Sequence, residues 1–179
     1  MNRIKRIALL LGAAALVLAI VPSTVAAATP SQTIVQIATA NGNFKTLLAA
    51  VGCADPAVGA ALTSGKQLTV FAPTDAAFEA AGLTPANVCT ALPKATLTKV
   101  LLYHVASGDL YAKNVLPAKA GKLGAVRTLL GQRVYAIFNG TLFTTSGTIA
   151  HIDVKDKLFN IRATNGVIHV IDGVLMPAV

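Results

Sequence analysis

A chain of 179 residues that is 54% hydrophobic, 12% charged and formally +8 has the makings of a folded globular protein, not of a disordered polyelectrolyte. Its two cysteines are too few for a disulfide-dense mini-protein or a four-cysteine zinc site. The cations are scattered, and no aromatic residues alternate with them as a stacking platform for bases, which argues against nucleic acid.

Arg3, Lys5 and Arg6 precede an apolar run from Ile7 to Val21, and Pro22 and Ser23 then lead into Ala26-Ala27-Ala28. Basic, then apolar, then small is the order of a secretory signal peptide, residues 1–28, cleaved after Ala28. The run falls short of the about 20 apolar residues of a membrane span, although an uncleaved anchor would use the same sequence. Cleavage leaves 179 − 28 = 151 residues, 29–179, which suits one domain. The leader holds three of the 15 Lys and Arg and none of the seven acidic residues, so the mature charge is 12 − 7 = +5. Lys113, Lys119, Lys122, Arg127 and Arg133 are the loosest basic grouping. They read as a solvated face, with weak attraction to acidic polysaccharide or anionic lipid as the alternative. The expected location is secreted or extracellular, cell surface and periplasm included, with no membrane span after cleavage.

The first half of the mature chain reads as helices. Ser31 is placed to cap a segment carrying Ile34, Val35 and Ile37, and a second segment sets Phe44, Leu47, Leu48 and Val51 at helical spacing. Asp55-Pro56 and Thr84-Pro85 each pair a capping side chain with the residue favoured at a first helical position. Between them Gln67 to Phe71 is a short β-rich run that Ala72-Pro73 is expected to stop. Thr74 or Asp75 then caps a turn of helix bearing Ala76, Ala77 and Phe78, and Asp75 suits the positive end of that helix. Cys53 and Cys89 both lie in the exported part, so an oxidising compartment favours a single disulfide between them; two separate buried thiols are the alternative.

From Gly108 onward the pattern is of strands. Val126 to Leu130 and Arg133 to Phe138 are β-rich, Asn139-Gly140 is a hairpin signal, and Leu142-Phe143 resumes the partner strand. Asn139-Gly140-Thr141 is also formally a glycosylation sequon, which the hairpin accounts for. Ala150, Ile152 and Val154 alternate with Ile149, His151 and Asp153, as in a half-buried strand. Val167 to Ile171, apolar apart from His169, reads as a central strand. Helices first and strands second give an α+β class.

Leu68 to Phe78, with Thr69, Phe71, Pro73, Thr74, Asp75 and Phe78, resembles the first signature segment of a fasciclin-like domain. Asn165 to Pro177, with Asn165, Gly166, His169 and Asp172, resembles the second, and Leu101-Leu-Tyr-His-Val105 stands where that family has its Tyr-His segment. The resemblance implies a fasciclin-like fold, with a helical N-terminal half packed around a wedge of two small sheets. It also implies an extracellular protein of adhesion or matrix contact. In some animal members the Tyr-His segment is implicated in integrin recognition, which makes Leu102, Tyr103, His104 and Val105 a candidate partner-binding patch. Core packing with a buried hydrogen bond is the other reading of Tyr103 and His104. A second adhesion element of some members is an Asp-Ile pair ahead of the last signature. Here it is Asn160-Ile161, and an amide does not replace a carboxylate on a divalent cation.

Chemistry is sparse. His104 shares a helical stripe with Leu97, Val100 and Leu101, so it and His169 read as core histidines in need of buried partners. His151 and Asp153 fall on one face of a strand and offer two metal ligands without a third or fourth. Glu79 is the one glutamate, and no nucleophile elbow or phosphate loop occurs. These residues describe a non-enzyme with no cofactor or metal, acting as a monomer on a cell-surface or matrix protein or polysaccharide. The alternative is an extracellular carrier of an apolar small molecule of carotenoid or lipid type, for which the apolar helical half supplies a groove.

Overall fold

The computed structural model describes residues 30–153 and 158–178; the leader and Val154 lie outside them. The helical half contains α1 (Ile34–Asn41), α2 (Lys45–Cys53), α3 (Pro56–Thr63), α4 (Asp75–Ala80), α5 (Val88–Ala91) and α6 (Lys94–Tyr103), with β1 (Leu68–Pro73) among them. After β2 (Val105–Ser107) and α7 (Ala112–Val115) come β3 (Gly124–Arg127), β4 (Arg133–Ala136), β5 (Thr141–Phe143), β6 (Ile149–His151), β7 (Ile161–Ala163) and β8 (Gly166–Ile171). They form two four-stranded sheets, ordered β2-β1-β8-β7 and β3-β4-β5-β6.

Several ends differ from the sequence expectation. Thr33, not Ser31, caps α1, because Gln36 completes a reciprocal capping box with it. Asp55-Pro56 does start α3. Thr84-Pro85 instead opens a turn, and α5 begins at Val88. Strand β1 runs through Pro73, because the next ladder bond comes from the Thr74 N–H to the Ile171 carbonyl and so needs no donor on the ring.

The two signature segments are strand partners. β1 and β8 lie parallel in the centre of the first sheet, Leu68 opposite Gly166 through Pro73 opposite Ile171, and all twelve residues are buried. Burial on both faces is why each reads as a nearly continuous apolar run. Leu68, Val70, Ala72, Ile168 and Val170 pack beneath the helices. The alternate residues Phe71 and Ile171 pack with Val126, Val134, Ala136, Leu142 and Ala150 of the second sheet. The first sheet therefore separates two cores, with helices on one face and the second sheet on the other. The sheets are also tied by the bridges Ala106 to Thr128 and Ile152 to Ile171.

Cys53 at the end of α2 is joined to Cys89 on α5 with the Cα atoms 5.5 Å apart, an ordinary spacing for a disulfide. By chain entropy such a loop is worth about 4 kcal/mol.

Two substitutions test this account in opposite directions. At Gly166 a Cβ would overlap the Leu68 carbonyl oxygen, and the backbone holds φ at +147°. Gly166→Ala should therefore cost more than about 3 kcal/mol in urea unfolding. Thr46 is fully buried, and its hydroxyl has no hydrogen-bond partner among the described residues. Thr46→Val should stabilise by about 1 kcal/mol; a loss instead would show a partner for that oxygen.

Candidate functional site

The Tyr-His segment is a junction between the two cores. Tyr103 is fully buried, and its hydroxyl donates to the Arg133 carbonyl of the second sheet at 2.8 Å. His104, 2% exposed, donates from Nδ1 to the Val100 carbonyl at 2.8 Å and accepts the Leu175 N–H at Nε2 at 2.9 Å. Those two bonds use both ring nitrogens of a neutral imidazole. Burial lowers the His104 pKa to about 4 and raises that of Tyr103 to about 12. Val105 is buried too, and only Leu102 keeps partial exposure. The segment thus offers almost no surface, which corrects the expectation of a recognition patch around Tyr103.

The polar signature residues hold chain ends. The Asp75 carboxylate accepts the N–H groups of Lys45 and Thr46, capping α2, whose own N-cap Phe44 has no side chain able to do so. Thr74 caps Asp75's own helix. Buried Asn165 accepts the Ile34 N–H at the start of α1 and donates to the Leu62 carbonyl in α3. The Thr69 hydroxyl donates to Gly108 and accepts from Leu110, and His169 donates from Nε2 to the Leu110 carbonyl while stacking on Phe71. Burial pushes His169 below the ordinary histidine pKa. Asp172 accepts the His151 N–H and lies 3.1 Å from His151 Nδ1. His151 is thereby paired with Asp172. Among the described residues no three His, Cys, Asp or Glu side chains are grouped to hold a metal ion.

Two features are open to a ligand. One is an apolar cavity of about 50 Å³ beneath the helices, lined by residues such as Ile34, Leu48, Val51, Leu62 and Leu101. Its volume is far below the about 300 Å³ at which small-molecule sites begin. His104 also borders it, but with both nitrogens engaged.

The other is the outer face of the second sheet. The registers align Ala125, Tyr135, Phe143 and Ile149 in a row across all four strands, on the side opposite the buried Ala136, Leu142 and Ala150. Tyr135 and Phe143 stack at 5.6 Å, while Ile149, Leu123 and Phe138 stand out at 61%, 56% and 55% exposure. Arg127 and Arg133 pair across β3 and β4 on the same face, both exposed. Sequence reasoning took these cations for a solvated face. The missed signal is that β4 and its extension, Val134-Tyr-Ala-Ile137, are apolar on both sides of the alternation although one side meets water.

The sequence model of the fasciclin domain matches residues 42–177. The chain belongs to the fasciclin domain family. It is 37% identical to Protein sll1483 of Synechocystis over 157 residues, 85% of this chain and 77% of that protein. Identity to Immunogenic protein MPB70 of Mycobacterium bovis is 34%, over 82% of this chain and 70% of the relative. Human Periostin is 31% identical over 75% of this chain, which spans only 15% of that longer protein. A solved FAS1 domain pair from the insect cell adhesion molecule Fasciclin I superposes with a TM-score of 0.56 at 19% identity, covering 76% of this chain and 46% of that one. The α+β fold of mixed helices and two small sheets is the fasciclin arrangement.

Within this fasciclin domain Asn160, at the position of the Asp-Ile element, is turned inward. It sits at φ +55°, its Oδ1 accepts the Ala112 N–H at 2.6 Å, and its N–H reaches His169 Nδ1 at 3.3 Å. Asparagine tolerates that left-handed backbone, and its side chain starts α7.

Both core histidines are neutral when folded and charge more readily when unfolded, so the unfolded state binds more protons below the ordinary pKa of about 6.5. Stability should be full above that pH and fall as pH drops towards 4, by about 2 kcal/mol at pH 5 from His104 alone. Urea midpoints between pH 7 and 5 measure this. His104→Gln should flatten the slope whatever it does to the baseline; an unchanged slope would place the titration elsewhere.

Proposed function

We propose that this chain is an exported, non-catalytic contact protein that mediates cell adhesion or matrix contact through the outer face of the second sheet. The observation that carries this reading is the row Ala125, Tyr135, Phe143 and Ile149, apolar and open to water beside Arg127 and Arg133. Scattered exposed apolar residues are ordinary, but a contiguous row rimmed by polar groups marks an interaction surface. The likeness to a domain pair from an insect cell adhesion molecule adds support by analogy of fold. Export rests on the leader-like residues 1–28, and among the described residues no single helix is long and apolar enough to cross a membrane. The Leu102 to Val105 segment supports this role from within, by fixing α6 to the second sheet through Tyr103. A lone domain of this kind makes one contact, so firm attachment requires several copies or a second binding element.

The carrier reading has the apolar cavity in its favour and the volume of that cavity against it. Retention of the protein on the envelopes of its host cells tests the contact reading. Phe138→Ser with Ile149→Ser should lower retention at least tenfold while the melting temperature stays within a few degrees. Undiminished retention, or a coloured or lipid-loaded protein that ignores the envelopes, would remove the contact reading.

A further inference from the structure

The mature net charge is concentrated in one segment of the chain. Between Asp109 and Asp153 there is no acidic residue, and the segment carries Lys113, Lys119, Lys122, Arg127 and Arg133. The rest of the mature chain has 12 − 5 = 7 Lys and Arg against seven Asp and Glu, so these five residues account for the whole net charge of +5. The same segment contains all four strands of the second sheet and the exposed Leu123 and Phe138. Two carboxylates lie at the β6 edge of this face: Asp172, which pairs with His151, and Asp153, two residues beyond His151.

We infer that this face docks on an anionic lipid surface, an assignment that rests on its reading as the contact patch. Complementarity of charge requires an acidic partner, and the apolar side chains require one that also takes up hydrocarbon. Leu123 immediately follows Lys122, and Phe138 lies at the β4–β5 turn that continues Ile137, the next residue in the alternation opposite Leu123. Apolar tips set among cations are how a surface-bound protein meets the boundary of headgroups and acyl chains. The lysine and arginine stems can lie along that boundary with their charges at the phosphates. An acidic polysaccharide fits less well. Tyr135 and Phe143 stack on each other, centroids 5.6 Å apart and planes within 20°, so each already covers one face that a sugar ring would use. A second copy of the chain fits least, since a two-fold pairing of this face would set Arg127 and Arg133 against themselves.

The test is cosedimentation of the chain recovered from culture medium, its N-terminus established by intact mass, with vesicles of phosphatidylcholine alone or mixed with phosphatidylglycerol. Binding is expected to the mixed vesicles only and to weaken with salt. At about a fivefold effect per cation near the surface, Arg127→Gln with Arg133→Gln should weaken it on the order of 30-fold. Phe138→Ser with Ile149→Ser should weaken it at least tenfold with the melting temperature held. Equal binding to neutral vesicles, unchanged binding by these variants, or dimerisation through this face seen by analytical ultracentrifugation would overturn the inference. So would retention on an acidic polysaccharide with no vesicle binding. If the same variants lose envelope retention although vesicles are never bound, the contact reading stands and the lipid assignment alone falls.

Discussion

The parallel pairing of β1 with β8 brings residues 68–73 against residues 166–171 across nearly a hundred positions of chain. Closing that loop carries an entropic cost that returns only when both strands are buried on both faces. Gly166 sits where β8 approaches the Leu68 backbone, too close for any side chain. Once the pair is formed, the helices have a floor and the second sheet has a wall, and each core forms against an opposite face of the same two strands.

Polar groups at the ends of this pair then fix everything else. Asn165, one residue before β8, holds α1 and α3; Asp75, two residues after β1, holds α2; Asp172, one residue after β8, holds β6. Asn165 satisfies buried backbone groups that would otherwise lose water without compensation, at a cost of about 1–3 kcal/mol per group, whereas Asp75 and Asp172 act at chain ends more open to water. His104 does the same between α6 and the C-terminal segment, and it can do so only while neutral, which couples the architecture to pH. The signature residues are therefore architectural. Their polar groups are engaged by other parts of the same chain.

That is also why the fold was far more legible in the sequence than the site. Buried parallel strands announce themselves as apolar runs, and Asp55-Pro56 or Asn139-Gly140 encode their own local geometry, so class, order and most elements were readable. The errors fell where a bond comes from far along the chain. Asp75 looks like the cap of its own helix, yet it caps α2, about thirty residues earlier, and no local pattern distinguishes the two uses. The helical stripe of His104 already points to the core, but the atoms that Tyr103 and His104 bond there, on Arg133 and Leu175, are brought near by the fold and by no local pattern. The outer face of the second sheet was missed because its apolar residues come from four short strands and form a row only when the registers align.

The two sheets thus divide the work. The first is buried throughout its central pair, and a substitution there is answered by loss of stability, leaving little freedom for recognition. The second needs only its inner residues, Val126, Val134, Ala136, Leu142 and Ala150, for the core. Alternation leaves every other residue free of that duty. A soluble domain under no other demand would fill those positions with polar side chains, since apolar ones gain nothing from facing water and invite association. Tyr135, Phe143 and Ile149 on that face, in an acid-free stretch that also carries five of the chain's 15 Lys and Arg, are the opposite choice. That choice is the physical basis of the contact role proposed for this face.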